Sequence, residues 1–250
     1  MASLGISVED RSGVRYVVLD RPDKKNALTV AMYAALAEAV SSAASDDVGA
    51  LLLQARGDTF TAGNDLRDFL DQPPHGEDAP VIRFLTGLVT TDVPIVAAVR
   101  GAAVGIGTTM LLHCDLVYAA PSATLKMPFV DLGLVPEAAS SVLLPRRIGR
   151  ARAGAALFLG EAISADEAYA TGMVTKLVAD DALDAEAEAA ARTIAAKPRE
   201  AVRETKRLIT HDRDALLAAI ARETTAFRAR LASDEARTVM SAFFQRGARS

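Results

Sequence analysis

One carboxyl side chain, that of Glu137, stands alone in the apolar segment LGLVPEAASS at Leu132–Ser141. Apolar surroundings disfavour the charged form of a carboxyl group, so they raise its pKa and strengthen the carboxylate as a base. Such a base can remove a proton from a carbon next to a carbonyl. A glutamate at this point could instead start a helix, because the helix dipole favours negative charge in the first turn. The residues alone leave both interpretations open.

Two glycine-containing turns could supply chemistry that complements a base. The segment GAAVGIGTTM at residues 101–110 and the segment FTAGNDL at Phe60–Leu66 each follow an apolar, strand-like run. The first does not match the dinucleotide fingerprint G-x-G-x-x-G, since Met110 occupies the last glycine position. Each turn could present backbone N–H groups to an oxyanion at the start of a helix. Close packing of a strand on a helix is the structural alternative for these glycines.

The elements around the two turns predict an α/β core followed by helices. Val14–Leu19 and Ala50–Ala55 are short runs of apolar residues, typical of buried strands. Apolar residues recur at every fourth position over Leu28–Val40, which predicts an amphipathic helix capped near Thr29. Strand–helix alternation continues to about residue 120 and is typical of crossover units. Charged, alanine-rich helical patterns dominate the C-terminal part, with a predicted boundary at residues 190–200.

The composition argues against several classes of protein. The 250 residues carry a formal net charge of −4, which gives no support for nucleic acid as a partner. No run of about 18 uncharged apolar residues is present, so no membrane partner is expected. Cys114 is the single cysteine and no signal-peptide pattern is found, so a cytoplasmic location is expected. No spacing of His or Cys residues indicates a metal site.

Five segments in order along the chain resemble the crotonase superfamily, also called the enoyl-CoA hydratase/isomerase family. The resemblance covers most of the chain. Among the groups of this superfamily, the peroxisomal-type 3-enoyl-CoA to 2-enoyl-CoA isomerases are the most similar. The segments are Arg21–Leu28 (RPDKKNAL), Phe60–Leu66, Val93–Ala119, Leu132–Ala153 and Ile163–Val178.

The resemblance implies a fold, a ligand and an assembly. The fold class is α/β, a crotonase-like spiral of ββα units with a helical C-terminal region. Residues 1–195 would form the crotonase-like core, and residues 196–250 would form a helical trimerisation region. The expected partners are an acyl-CoA thioester substrate and further copies of the chain, in a homotrimer or a dimer of trimers. No separate cofactor is expected, because coenzyme A is part of the substrate.

The resemblance also implies which residues form the site. By motif position, the backbone N–H groups of Ala62 and Ile106 would form an oxyanion hole, and Glu137 would be the catalytic acid/base. Arg246 would approach the phosphates of coenzyme A, from its own or a neighbouring subunit. The residues expected to contact the substrate or its coenzyme A are Lys25, Ala27, Leu28, Gly63, Asn64, Asp65, Leu66, Gly105, Phe129 and Arg246.

Two positions separate the possible reactions. Hydratases of the superfamily use two glutamates to activate water, and the matching positions here are Thr109 and Phe129. Neither side chain can act as a base near neutral pH. Glu137 stands where the peroxisomal-type isomerases carry their catalytic glutamate, although Ala138 replaces the glycine that follows it there. The expected activity is therefore isomerisation of 3-enoyl-CoA to 2-trans-enoyl-CoA.

Alternatives to this activity stay open in the sequence. They are an enoyl-CoA hydratase-like lyase or another crotonase-family acyl-CoA enzyme, and a non-catalytic acyl-CoA-binding member. Asp131 is the reserve candidate for a catalytic acid.

Overall fold

Two β-sheets and eleven α-helices make up the computed structural model, which describes residues 5–71, 76, 78–210 and 212–247. The strands are β1 (Ile6–Arg11), β2 (Val14–Leu19), β3 (Ala50–Ala55), β4 (Ile95–Val99), β5 (Ala102–Val104), β6 (Leu116–Ala119), β7 (Thr124–Lys126), β8 (Ile163–Ser164) and β9 (Lys176–Leu177). The helices are α1 (Val30–Ser41), α2 (Leu66–Asp71), α3 (Pro80–Thr90), α4 (Ile106–Thr109), α5 (Ser140–Ile148), α6 (Arg150–Phe158), α7 (Ala165–Ala170), α8 (Leu183–Ala195), α9 (Arg199–Ile209), α10 (Arg213–Leu231) and α11 (Asp234–Gly247).

The larger sheet has six strands in the order β1-β2-β3-β4-β6-β9. β1 and β2 form an antiparallel hairpin, and every later pair in this sheet is parallel. The smaller sheet has the order β5-β7-β8. Two strands followed by a helix recur as β1-β2-α1, β4-β5-α4 and β6-β7-α5. This repetition is the ββα pattern expected from the sequence.

Both faces of the central strands β2, β3 and β4 are buried, which explains their nearly continuous apolar sequence, whereas the edge strand β1 is mostly exposed. In β3, Leu51 and Leu53 belong to one apolar cluster, whereas Ala50 and Leu52 belong to a second. The first cluster includes residues of α1 and α3, and the second includes residues of α8. The alternation follows from the two-residue period of a strand.

The predicted strands at Val14–Leu19 and Ala50–Ala55 are confirmed at the same residues. The predicted cap of α1 is also confirmed, because the side chain of Thr29 accepts a hydrogen bond from the backbone N–H of Met32. The C-terminal region is helical as expected, and α10 contacts both α3 and α5. A separate domain over residues 196–250 stays a prediction. In the described part of the chain, no helix combines the length and the apolar character that crossing a membrane requires.

Candidate active site

The two glycine turns lie against each other at the edge of the smaller sheet. The backbone N–H of Thr61 donates to the carbonyl of Ala102 at 3.0 Å, and the N–H of Val104 donates to the carbonyl of Thr61 at 3.0 Å. Gly63 has a φ of 89°, and a Cβ atom there would lie 2.8 Å from the carbonyl oxygen of Val104. Only glycine combines this backbone angle with so close an approach. The sequence therefore brings both turns to one place.

A fully buried asparagine, Asn26, holds the loop that supports the first turn. Its side-chain amide donates to the carbonyls of Arg56 at 2.9 Å and Thr59 at 2.8 Å. Its side-chain oxygen accepts from the backbone N–H of Arg21 at 2.8 Å. The hydroxyl of Thr61 donates to the Asn26 carbonyl at 2.7 Å. Since a buried amide needs such partners, this residue fixes the path of three separate segments.

Hydrogen bonding decides which N–H groups of the turns remain available. The N–H of Ala62 donates to the carbonyl of Lys25 at 2.9 Å, so the expectation that Ala62 offers a free oxyanion donor does not hold. In the described residues, no acceptor is found for the N–H groups of Asn64 and Ile106. Both residues line the same cleft. Asn64 is held there because Leu28 bonds to its two chain neighbours, Gly63 and Asp65.

A wide cleft of about 1250 Å³ opens beside the two turns. Lys25 and Leu28 are not among the residues that line it, and Leu28 is buried. The side chain of Arg246, near the end of α11, falls outside the described part of the structure. The other residues expected at the site all line the cleft, apart from Glu137: Ala27, Ala62, Gly63, Asn64, Asp65, Leu66, Gly105, Ile106 and Phe129.

Basic side chains are gathered along the wall of the wide cleft. Arg21, Lys24, Arg67 and Lys126 all line it. The carboxylate of Asp65, one of the predicted contacts of the substrate, accepts a hydrogen bond from Arg21 at 2.8 Å. Acidic side chains line the same cleft in equal number: Asp65, Asp68, Asp71 and Asp131. The lining is therefore of mixed charge, and the volume of the cleft suits an elongated ligand. Within the described ranges, no three His, Cys, Asp or Glu side chains are close enough together to hold a metal ion.

Glu137 lies beyond the cleft, at a narrow cavity of about 30 Å³. The cavity and the wide cleft share two lining residues, Asn64 and Phe227. The hydroxyl of Tyr33, which also lines the cavity, donates to the side-chain oxygen of Asn64 at 2.5 Å. The carboxyl group of Glu137 is thus next to the segment that carries one of the free N–H groups. Apolar side chains make up most of the remaining wall: Phe69, Val81, Ile82 and Leu85.

The surroundings of Glu137 change its acidity. Burial raises the pKa of the Glu137 carboxyl to about 8, although the side chain keeps contact with the narrow cavity. The hydroxyl of Thr109 donates to Glu137 Oε1 at 2.5 Å and lowers the pKa in part, while the negative charge of Glu223 raises it. The helix-start interpretation does not describe this carboxyl, because α5 begins at Ser140 and the carboxyl bonds to Thr109.

Comparison with known proteins agrees with this geometry. A family model described as "Enoyl-CoA hydratase/isomerase" matches residues 9–249. The chain belongs to the enoyl-CoA hydratase/isomerase family. The predicted resemblance to the crotonase superfamily is confirmed, and so is the predicted fold class.

Three similar proteins illustrate the breadth of the enoyl-CoA hydratase/isomerase family. "Enoyl-CoA delta isomerase 2" of Rattus norvegicus is 35% identical over 251 residues, which cover 98% of this chain. This chain spans 64% of the length of that relative. "1,2-epoxyphenylacetyl-CoA isomerase" of Escherichia coli (strain K12) is 39% identical over 196 residues, 74% of each protein. A crystal structure of an enoyl-CoA hydratase/isomerase from Pseudoalteromonas atlantica T6c superposes with a TM-score of 0.93 at 43% identity and covers 97% of both chains.

Sequence reasoning missed three contacts in this member of the enoyl-CoA hydratase/isomerase family. Thr109 was considered only as a missing hydratase glutamate, yet it holds the carboxyl of Glu137. The Nε2 of His113 donates to the carbonyl of Ala138 at 2.7 Å, a contact that no sequence motif indicates. Burial lowers the pKa of His113 to about 4, so the ring is neutral near pH 7 and the carbonyl requires the Nε2–H tautomer. Glu223, on α10, had no motif that could identify it.

Proposed function

We propose that the chain is an acyl-CoA isomerase that converts 3-enoyl-CoA to 2-trans-enoyl-CoA. One observation carries the proposal. A carboxyl group of raised pKa, Glu137, lines a narrow cavity that meets a wide cleft at Asn64, beside two N–H groups without an acceptor in the described residues. The arrangement provides one base and one oxyanion site, and these two groups are sufficient for isomerisation of the double bond.

The reaction moves one proton and one double bond. The carboxylate of Glu137 takes the proton from C2, and the C2–H electrons form a dienolate whose charge rests on the thioester oxygen. The N–H groups of Asn64 and Ile106 stabilise that oxygen, with Asn64 in place of the Ala62 expected from the sequence. Each such donor is worth about 3 to 4 kcal/mol of barrier. Protonated Glu137 then delivers the proton to C4, which leaves the double bond between C2 and C3.

The pKa of Glu137 suits a group that both takes and returns a proton. An acid/base works best when its pKa lies near the working pH, because both protonation states are then accessible. A carboxyl group of ordinary pKa would be a weaker base toward a carbon acid. The pKa of about 8 therefore supports a proton shuttle.

Hydration is less well supported than isomerisation. The position of one hydratase glutamate is Thr109, whose hydroxyl is engaged with Glu137, and the position of the other is the phenyl ring of Phe129. The narrow cavity of about 30 Å³ has room for a water. A water in this space would have one carboxyl group, rather than two, to orient it.

The wide cleft supports coenzyme A as the carrier of the acyl group. Its basic side chains, among them Lys24, Arg67 and Lys126, would meet the phosphates, and the turn at Asn64 would meet the pantetheine arm. A homotrimer or dimer of trimers is part of the proposal, as is a cytoplasmic location. Exposed apolar side chains support association, since Phe158 is 74% exposed and Leu208 is 68% exposed.

The test compares wild type with Glu137→Gln, which keeps the shape of the side chain and removes the base. Isomerisation of 3-hexenoyl-CoA should fall about 100- to 10,000-fold, the usual contribution of an acid/base group. Glu204→Gln makes the same chemical change on the exposed surface of α9 and should leave turnover unchanged. Hydration of crotonyl-CoA and binding of a non-reactive acyl-CoA are measured in parallel.

Each alternative has its own outcome in this experiment. Retention of most of the turnover by Glu137→Gln would remove Glu137 from the mechanism. Hydration faster than isomerisation in wild type would favour the hydratase-like alternative. Binding of the acyl-CoA without either reaction would favour a non-catalytic member of the family.

A further inference from the structure

We infer that Glu223 is a positioning residue: from α10, it clamps the turn that carries Glu137 and thereby directs the Glu137 carboxyl into the narrow cavity. The inference rests on the proposed function, in which Glu137 is the proton shuttle. It assigns a role in that reaction to the C-terminal helical region, in addition to the expected role in assembly.

The carboxylate of Glu223 receives three hydrogen bonds from the residues that follow Glu137. The backbone N–H of Ala139 donates to Oε2 at 2.6 Å, and the backbone N–H of Ser141 donates to Oε1 at 3.0 Å. The hydroxyl of Ser141 also donates to Oε1, at 2.5 Å. Glu223 is buried, with 8% of its surface exposed. Charge-assisted hydrogen bonds in a buried setting are the strong ones, so this carboxylate is well placed to fix the turn.

The turn needs such a clamp because its backbone is strained. Ala138 and Ala139 both have left-handed φ angles, of 58° and 55°. Residues with a Cβ lose roughly 1–2 kcal/mol in this conformation, and two in succession are rare. The turn is therefore held from outside, by Glu223 on one side and by the bond from His113 to the Ala138 carbonyl on the other. Without Glu223, the backbone at Ala139 would lose the partner of its buried N–H.

Glu223 acts through the turn and does not itself touch the substrate space. Its neighbours on α10, Thr224, Phe227 and Arg228, line the narrow cavity, whereas Glu223 lines neither the cavity nor the wide cleft. Both of its carboxylate oxygens are already bonded to the turn. Helix α10 thus supplies part of the cavity wall, beginning at Thr224, and also supplies the residue before it, Glu223, which holds the turn that carries Glu137.

Charged and titratable groups face Glu137 and Glu223 from several elements. Toward Glu137 they are the Tyr33 hydroxyl of α1, the neutral His113 through the turn, Arg228 across the cavity, and Glu223 itself. Arg222 faces Glu223. Burial is the main cause of the raised pKa of Glu137, and the Glu223 charge adds to it. Removal of that charge should therefore lower the pKa of Glu137.

The experiment compares wild type with Glu223→Ala, Glu223→Gln and the surface control Glu204→Gln, all as the full chain. For each, kcat and KM are measured with 3-hexenoyl-CoA, and the pH profile of kcat/KM is recorded. Glu223→Ala should lower kcat about tenfold or more while KM changes far less, because a misdirected base slows chemistry and leaves binding of coenzyme A intact. Glu223→Gln keeps the shape of the side chain and should move the ascending, acidic limb of the profile by about one pH unit toward lower pH.

The Glu137 carboxyl is also titrated directly by ¹³C NMR, with Glu137→Gln used to identify its signal. A downward shift of the Glu137 pKa in Glu223→Gln supports the inference even if Glu137→Gln proves active, in which case only the proposed function fails. Wild-type kcat in Glu223→Ala, together with an unmoved titration in Glu223→Gln, would overturn the inference. If Glu223→Ala does not fold, Glu223→Gln decides alone: a wild-type pH profile and titration count against the clamp.

Discussion

Thr109 Oγ1 donates a 2.5 Å hydrogen bond to Glu137 Oε1, across 28 residues of sequence. The hydroxyl is fully buried and takes the position at which hydratases of the family carry a glutamate. The position of one hydratase glutamate is thus occupied by a hydroxyl that donates to Glu137, a carboxyl group outside the two hydratase positions. The residue at this position therefore helps to set the pKa of the Glu137 carboxyl.

Thr109→Val should make Glu137 harder to ionise. Valine keeps the shape of threonine and removes the donor, and the lost hydrogen bond favoured the charged carboxylate, so the pKa of Glu137 rises above about 8. The value of kcat/KM near pH 7 should fall about three- to tenfold and recover at higher pH. Thr205→Val, on the exposed surface of α9, is the matched control. An unchanged pH profile in Thr109→Val would contradict this prediction.

The proposed isomerisation should speed up as the pH rises through about 8, the pKa of Glu137. The base must be ionised to accept the C2 proton, and at pH 7 a group with this pKa is ionised in about a tenth of the molecules. The value of kcat/KM should therefore rise about tenfold per pH unit below the pKa and level off above it. Initial rates with 3-hexenoyl-CoA at a series of pH values below and above the pKa of Glu137 measure this rise in kcat/KM. A flat profile from about pH 6 upward would mean that the reaction does not depend on this carboxyl.

Glu137 should also make the stability of the fold depend on pH. Its folded-state pKa of about 8 lies above the ordinary value of 4.5, so the folded state binds more protons between these values. The contribution of this group to the free energy of unfolding is present below about 4.5 and is lost as the pH rises through about 8. Glu137→Gln removes this pH dependence. The free energy of unfolding of the variant should therefore rise relative to that of wild type as the pH rises, by at most about 1.4 kcal/mol per pH unit. Urea unfolding of both proteins at two pH values measures the difference.

Gly63→Ala should damage the fold and the proposed oxyanion site together. The new Cβ would lie 2.8 Å from the Val104 carbonyl oxygen, at a φ of 89°. Gly172→Ala is the matched control, because its φ is 76° but no atom lies within 4 Å of the added Cβ. We expect a loss of about 1 kcal/mol for the control and about 2 kcal/mol or more for Gly63→Ala, with turnover reduced in Gly63→Ala alone. Equal losses in the free energy of unfolding would show that the contact with Val104 is not tight.

Local signals were enough to predict several of the elements that surround the candidate site. β2, β3 and the cap of α1 follow from short apolar runs and one threonine, because these features are encoded within a few residues. Glu137 was identified because an isolated charge in an apolar segment is visible in the sequence itself. The expectation of a free N–H at Ala62 fails for a physical reason: the acceptor of that N–H is the Lys25 carbonyl, in another loop.

The long-range contacts that surround Glu137 could not be predicted from the sequence. Glu223 stands at helical spacing with Ile220 and Phe227 on the buried side of α10, but nothing near it in the sequence indicates a contact with Ala139. Its role becomes visible only when α10 packs on α5. The contact between Thr109 and Glu137 is also long-range, because 28 residues separate the two in the sequence, and no spacing pattern predicts it.

The contact between α10 and the turn has a consequence for the order in which this protein matures. Glu223 follows Ala139 by 84 residues, so a growing chain on the ribosome already contains Glu137, Thr109 and both glycine turns long before it contains the clamp. The sheets and their turns can form from the segments made first. If Glu223 sets the direction of the Glu137 carboxyl, a nascent chain acquires that direction only after α10 has been synthesised and has docked on the turn.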